Sequence, residues 1–326
     1  MSYQKQKAMK TIIDPIPTDK ILEELTMDRF LRMTNNGKNE IYIVNALNAP
    51  NTMREIGRLR EISFRDSGGG TGLDCDLDEF DLDEETHFEQ LIVWNPYDKA
   101  IVGGYRFLLC DKLKVDDRGQ VNTPTSELFY YSEKFVKEYL PYTIELGRSF
   151  VQPDYQPSKS LAKGIYSLDN LWDGLGALIN LLPQAKYFFG KVTMYSQLER
   201  ESRDLILYFM KSNFADPDRL VYPYPELELP IKMDETELKS IFTGADYHEN
   251  YKILVRNVRQ RGAAVPPLVN AYMSLSSTMR SFGTALNAPF GNVEETGILI
   301  TMKDISKEKA ERHLTYDHNA KPLHLS

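Results

Sequence analysis

Cysteine is nearly absent. Cys75 and Cys110 are the only two in 326 residues, which provides neither a disulfide framework nor a zinc ligand set. No apolar run approaches the roughly 20 residues that a membrane span needs. The N-terminal stretch MSYQKQKAMKTIIDPIP is basic but has no apolar segment of the kind a secretory leader carries, so a cytoplasmic location is expected. An excess of positive charge is also missing. The formal net charge is −8, which argues against nucleic acid as the main partner. The five histidines, His87, His248, His313, His318 and His324, are scattered and give no metal-ligand pair. No G-x-S-x-G elbow occurs, and the glycine loop SGGGTG (67–72) lacks the Lys-Ser/Thr ending of a phosphate-binding loop.

What is present is an ordinary globular composition with a regular order of elements. The spacing predicts a helix over 18–36, with Thr18 as cap and Gly37 as stop. A strand follows at 41–46, then a helix of TMREIGRLREISFR capped by Asn51. QLIVW (90–94), the turn NPYD and AIVGGYRFLLC (100–110) read as an antiparallel hairpin. Further strands are expected at 142–151, 187–194 and 297–302, with helices at 198–211 and within 234–261. No internal repeat divides the chain, which points to one α+β unit with extensions.

The stretch ELGRSFVQPDYQPSKS (145–160) carries the most chemical information. Thr143, Ile144, Leu146, Phe150 and Val151 are strand formers, and Pro153 and Pro157 end the ladder. Ser158 or Ser160 can then cap a helix to about Leu182, with Leu161, Ile165, Leu168, Trp172, Leu175, Ile179 and Leu182 on one buried stripe. Free N–H groups and the positive end of the helix dipole would favour a phosphate there. Lys159 and Lys163 sit in that first turn against the dipole, a conflict that a bound anion would remove.

Charges inside apolar strands mark the second feature. Arg106 lies in VGGYRFLL, and Glu145 and Arg148 lie in IELGRSFV; such charges are costly unless paired. They form either an internal Arg–Glu ion pair or the wall of a cleft between splayed strands. The acidic run DCDLDEFDLDEE (74–85) imitates a calcium loop, but Glu79 stands where that loop needs glycine. A solvated loop is the alternative, or Asp78 and Asp81 could present carboxylates to a cationic substrate group. Cys110 ends a hydrophobic strand and reads as a core thiol, with an acyl relay as its functional alternative.

The order R60-x-x-x-FR, DEFD (78–81), VGGYRFL (102–108), ELGRSFVQPDY (145–155), LWDGLGAL (171–178) and YFFGKVTM (187–194) resembles the GNAT-fold lipid N-acyltransferases. These are the "hemolysin-like" ornithine-lipid and glycine-lipid enzymes that use acyl-ACP. SGGGTG, PPLVNAYM (266–273), FGTALNAPFG (282–291) and VEETGILI (293–300) look most like the glycine-lipid branch. The skeleton is also similar to acyl-homoserine-lactone synthases. The resemblance implies a mostly antiparallel mixed sheet flanked by helices and splayed between its fourth and fifth core strands. It would consist of a helical arm (1–39), a core (40–215) and a C-terminal extension (216–326).

The resemblance further implies aminolipid synthesis by transfer of a fatty acyl group from acyl-ACP, or acyl-CoA, to the α-amine of a small amino acid, with glycine the expected acceptor and no permanently bound cofactor or metal. Arg60, Asp78 and Asp81 would bind substrate, and Arg106 and Arg148 would serve the reaction with Glu145. Glu145 is the expected base because it is the carboxylate nearest the presumed reacting centre. Ser149, Val151, Ser158, Ser160 and Lys163 would hold the donor's phosphopantetheine. The usual Q/R-x-x-G-x-G/A pyrophosphate signature is replaced by YQPSKSLAKG, which fits a carrier-protein donor. Ornithine or a homoserine-lactone precursor as acceptor, a non-catalytic binding protein, and a secreted haemolysin are the competing readings. Peripheral contact with the inner face of the membrane is a further expectation.

Overall fold

The computed structural model describes residues 9–317 and 320–323; His318 and His324 lie outside them. In chain order the elements begin with α1 (Thr18–Glu24), β1 (Phe30–Met33), β2 (Glu40–Val44), α2 (Pro50–Asp66) and α3 (Glu79–Leu82). β3 (Glu89–Asn95), β4 (Ala100–Leu109), β5 (Phe129–Tyr131) and β6 (Thr143–Val151) follow. Next come α4 (Leu161–Gly164), α5 (Ser167–Leu181), β7 (Tyr187–Met194), α6 (Arg200–Asn213) and β8 (Val221–Pro223). α7 (Glu235–Ile241), α8 (Tyr247–Gln260), α9 (Pro267–Met273), β9 (Arg280–Asn287), β10 (Val293–Thr301) and α10 (Lys307–Leu314) complete the chain. Among the described residues no helix is long and apolar enough to cross a membrane.

An eight-stranded sheet runs in the order β1-β2-β3-β4-β6-β7-β10-β9, and β5 pairs with β8 apart from it. Every neighbouring pair in the large sheet is antiparallel except β6 and β7, which are parallel. The expected α+β architecture, mostly antiparallel and flanked by helices, is therefore present. Alternation along each strand sends apolar side chains to both faces. On one face Leu91, Val93, Phe188 and Ile298 pack with Leu171 and Leu175 of α5 and with α6 and α8. On the other, Tyr42, Val44, Ile92 and Phe150 pack with Met53, Ile56 and Leu59 of α2, and Phe189 and Leu299 pack with Phe129 and Tyr131.

Three local expectations need correction. The helix predicted over 18–36 stops at Glu24, and Phe30–Met33 is an edge strand paired with β2. Pairing of Phe30, Arg32 and Met33 with β2 overrides the helical spacing of Phe30 and Leu31. The cap of α2 is not Asn51. Pro50 occupies the first turn, and the Glu24 carboxylate accepts from the Asn51 N–H at 3.0 Å and the Thr52 N–H at 2.7 Å.

The third correction concerns the helix expected from Ser158 or Ser160 to Leu182, which is broken. Ser160 caps the short α4, and α5 begins afresh at Ser167, whose hydroxyl donates to the Tyr155 carbonyl at 2.8 Å. Gly164 is pressed against backbone, since a Cβ there would lie 2.4 Å from Pro157 N. Leu161 and Ile165, placed on the buried stripe by spacing, are exposed. Leu168, Trp172, Leu175, Ile179 and Leu182 do pack on the core.

Gly190 lies opposite Leu146 in the last rung of the β6–β7 register. A Cβ there would come within 2.6 Å of the Leu146 carbonyl oxygen. Gly190→Val is therefore expected to destabilise the protein by about 1–3 kcal/mol through overpacking. A chemical denaturation midpoint equal to wild type would contradict this reading of the rung.

Candidate active site

A strand with one residue too many creates the site. Gly104 pairs with Phe150 and Arg106 with Gly147, so two steps along β4 stand opposite three along β6. The extra residue forms a bulge that bends its strand and adds twist. Arg148 sits in it with φ of 52°, a left-handed conformation uncommon for a residue with a side chain. Beyond Leu146 the register of β6 with β7 ends, while β7 continues along β10 to Met194. The sheet thus splits beside Gly147.

A cavity of about 590 Å³ occupies the split and reaches both faces of the sheet. Its apolar arm lies against the helices, lined by Leu146, Leu171, Trp172, Leu175, Tyr272 and Ile298 among others. Pro266, Pro267 and Leu268 at the start of α9 contribute to that wall. Its polar arm opens on the opposite face, where Arg106, Glu145, Arg148, Lys191, Thr193 and Glu295 converge with Thr125.

Glu145 is buried, with 1% exposure. Its Oε1 accepts the Thr125 N–H at 3.1 Å, and Oε2 has no hydrogen-bond partner. The Arg–Glu ion pair considered from sequence is not formed, because the nearby arginines bond to aspartates. Arg106 Nη1 lies 2.6 Å from Asp78 Oδ1 and 3.2 Å from Asp81 Oδ2. Arg60 Nη1 donates to Asp81 Oδ2 at 3.0 Å, and its other terminal nitrogen donates to the Gln90 side chain. Arg148 Nε lies 3.0 Å from Asp76 Oδ2, its Nη2 lies 3.5 Å from Asp78 Oδ2, and its guanidinium stands over the Phe290 ring.

The acidic run thus folds back as counter-charge to three arginines. Asp78 caps α3 in a reciprocal box with Asp81. Burial alone would raise the Asp81 carboxyl, but Arg60 and Arg106 overcome it and hold Asp81 well below the usual carboxylate range. Burial would lower the Arg106 pKa, yet Asp81 and Asp78 push it up. The Asp76 carboxyl is raised, since its burial outweighs the pull of Arg148 and Arg60. Among the described residues no group of His, Cys, Asp and Glu is arranged to hold a metal.

The candidate residues fall into two layers. Arg106, Glu145, Arg148, Ser149, Val151 and Ser158 line the cavity. Arg60, Asp78 and Asp81 stand behind it as the support of Arg106. Ser160 is the α4 cap, accepting from the Lys163 N–H. Lys163 Nζ bonds to Asp98 at 2.8 Å and Lys159 lies 3.9 Å from Asp66, so each of these two lysines has a carboxylate beside it. Cys110 lies against Glu145; burial pushes its thiol well above the ordinary range, and the Glu145 charge adds to the shift while a hydrogen bond to the Glu145 backbone opposes it, so the thiolate an acyl relay needs is disfavoured.

Lys191, Glu295 and Thr125 escaped the sequence reading. Lys191 and Glu295 are charges inside the apolar strands YFFGKVTM and VEETGILI, the same signal that singled out Arg106 and Glu145.

Residues 59–164 match the family described as the acetyltransferase (GNAT) domain. Over 306 residues, 94% of this chain, the sequence is 54% identical to a glycine N(alpha)-acyltransferase of Bacteroides thetaiotaomicron, covering 90% of that protein. It is 52% identical, over the same share, to a glycine N(alpha)-acyltransferase of Phocaeicola vulgatus, covering 93% of it.

The Asp81 cluster predicts a pH signature. A carboxylate whose folded pKa is depressed stabilises the fold above its unfolded value of about 3.9, and that contribution is lost as pH falls through the folded value. Asp81→Asn removes the carboxylate paired with buried Arg60 and one of the two paired with buried Arg106, and is expected to destabilise by about 3–5 kcal/mol at neutral pH. The gap between variant and wild type should narrow below about pH 4. Denaturation curves showing a gap independent of pH would contradict the assignment.

Proposed function

This chain belongs to the family of the glycine N(alpha)-acyltransferases, and from that premise we propose that it moves a fatty acyl group from acyl-ACP to the α-amine of glycine. The observation that carries the reading is the cavity through the split sheet, with an apolar arm on one face and an unpartnered carboxylate oxygen on the other. The acyl chain lies among Leu171, Trp172, Leu175, Tyr272 and Ile298. The pantetheine arm threads the gap beyond Leu146, past Ser149, Val151 and Ser158. The absence of the pyrophosphate signature in YQPSKSLAKG supports a carrier protein over CoA as donor.

Glycine enters from the polar arm. Arg148 is the guanidinium suited to its carboxylate. It is 17% exposed, whereas Arg106 is 1% exposed with its terminal nitrogen spent on Asp78 and Asp81. The glycine ammonium first releases one proton to solvent, because only the neutral amine attacks. Its nitrogen bonds to the thioester carbonyl carbon, and Glu145 Oε2 takes the second proton as that bond forms. Backbone N–H groups of β6, freed from β7, stabilise the oxygen as charge develops. The C–S bond breaks, the pantetheine sulfur leaves with its electron pair, and the proton held by Glu145 returns to it. Placing the two substrates on opposite sides of one gap supplies much of the rate.

Purified protein given acyl-ACP and a panel of amino acids tests this by mass spectrometry of the product. N-acylglycine should dominate, and acyl-CoA should be the poorer donor. Exclusive acylation of ornithine or of a homoserine-derived acceptor would overturn the glycine assignment. Glu145→Gln should lower kcat about 10²- to 10⁴-fold with the donor KM little changed; a wild-type kcat would remove Glu145 as base. Arg148→Met should raise the KM for glycine about 10- to 100-fold, the loss of a charged hydrogen bond. A change confined to the donor KM would move Arg148 to the other substrate.

A further inference from the structure

Lys191 occupies the first β7 position past the last rung shared with β6. Its side chain is 13% exposed. Nζ donates to the Pro124 carbonyl at 2.7 Å and stands 3.5 Å from the Thr125 hydroxyl. The Thr125 N–H in turn donates to Glu145 Oε1 at 3.1 Å. The Pro124 carbonyl and the Thr125 N–H are the two ends of one peptide unit. A single rigid amide therefore connects the lysine on one side of the split to the carboxylate on the other.

The surroundings hold this amide in place. Thr125 is buried. The Thr123 N–H donates to the Ser126 hydroxyl at 2.9 Å, that hydroxyl donates back to the Thr123 carbonyl at 2.9 Å, and the Thr123 hydroxyl meets Tyr131 Oη at 3.1 Å. Glu295 Oε2 lies 3.5 Å from Lys191 Nζ and also accepts from Asn287 Nδ2 at 3.3 Å, so the lysine is anchored from β10 as well. Opposite Lys191 on β10 stands Gly297, which brings no side chain against it.

We propose that Lys191 is a positioning residue for acyl transfer, acting through the Pro124–Thr125 peptide to fix Glu145 so that Oε2 faces the acceptor amine. This rests on the reading of Glu145 as the base. The ammonium pulls electron density toward the Pro124 oxygen and strengthens the Thr125 N–H as a donor. One carboxylate oxygen is thereby tied down, and the other keeps its lone pairs for the substrate proton. Glu145 has no ion-paired arginine to orient it, since Arg106 and Arg148 are held by Asp76, Asp78 and Asp81. Cys110 and Tyr131, which lie beside it, bring no positive charge. The peptide is its hydrogen-bonded anchor, and the lysine is the anchor of the peptide.

Steady-state kinetics on the full chain with acyl-ACP and glycine test this in four proteins: Lys191→Met, Lys191→Arg, Glu145→Gln and the double variant Lys191→Met/Glu145→Gln. Lys191→Met should lower kcat about 10- to 100-fold while both KM values stay within a few-fold of wild type. Lys191→Arg, which keeps a charged donor, should recover part of the loss. In the Glu145→Gln background, Lys191→Met should have little further effect, because the two act on one step. A loss in the double variant equal to the product of the single losses would overturn the proposal. So would a Lys191→Met effect confined to the glycine KM, which would make the lysine a direct substrate ligand. If Glu145→Gln itself has wild-type kcat, the base assignment fails first. If Glu145→Gln is impaired and Lys191→Met is not, only the relay fails. Unchanged circular dichroism and melting of Lys191→Met separate either result from misfolding.

Discussion

The bulge at Arg148 is the constraint on which the rest of the molecule depends. Parallel strands in a sheet normally stay paired along their shared length, because unpaired backbone groups inside a protein are expensive. Here β6 carries one residue more than β4 can match, with Arg148 in a left-handed conformation. The mismatch turns β6 away from β7 after Leu146 and leaves a gap through the middle of an eight-stranded sheet. Gly190 sets the other limit, since its missing side chain lets the two strands close tightly just before they part. The gap is therefore a consequence of backbone register, fixed before any substrate arrives.

Opening a sheet exposes its two faces to each other, and the chemistry on the faces is opposite. Phe188 and Ile298 look toward α5 and the apolar wall. Glu145 and Lys191 meet the Thr123–Ser126 loop, and Glu295 lies beside Lys191. The three arginines would be intolerable in such a place without counter-charge. Asp76, Asp78 and Asp81 supply it, so that Arg106 and Arg148 are pinned while Glu145 is left outside the ion-pair network.

Much of this could be read from the sequence. Strand formers followed by Pro153 and Pro157 gave β6 its end. Charges within VGGYRFLL and IELGRSFV marked the polar arm. Other features resisted because long-range contacts decide them. Phe30 and Leu31 fit a helix until β2 offers an edge to pair with. Leu161 and Ile165 lie on the α5 stripe by spacing alone, but contact of Gly164 with the backbone at Pro157 breaks the helix and turns them outward. The sequence offered Glu145 as the ion-pair partner of Arg106, whereas the pairing with Asp78 and Asp81 depends on the acidic run folding back over β4, which spacing does not give. The Pro124–Thr125 peptide was invisible, because a backbone amide in a short TPTS turn has no compositional mark.

The central claim is that the split between β6 and β7 receives the acyl-pantetheine arm, with the tail on the helical face and the carbonyl beside Glu145. A structure of the protein bound to a non-hydrolysable acyl-pantetheine thioether tests it most directly. The account predicts the arm between Gly147–Val151 and Lys191–Met194, with the tail among Leu171, Leu175 and Ile298. An arm lying elsewhere, with β6 and β7 closed over their whole length, would contradict it.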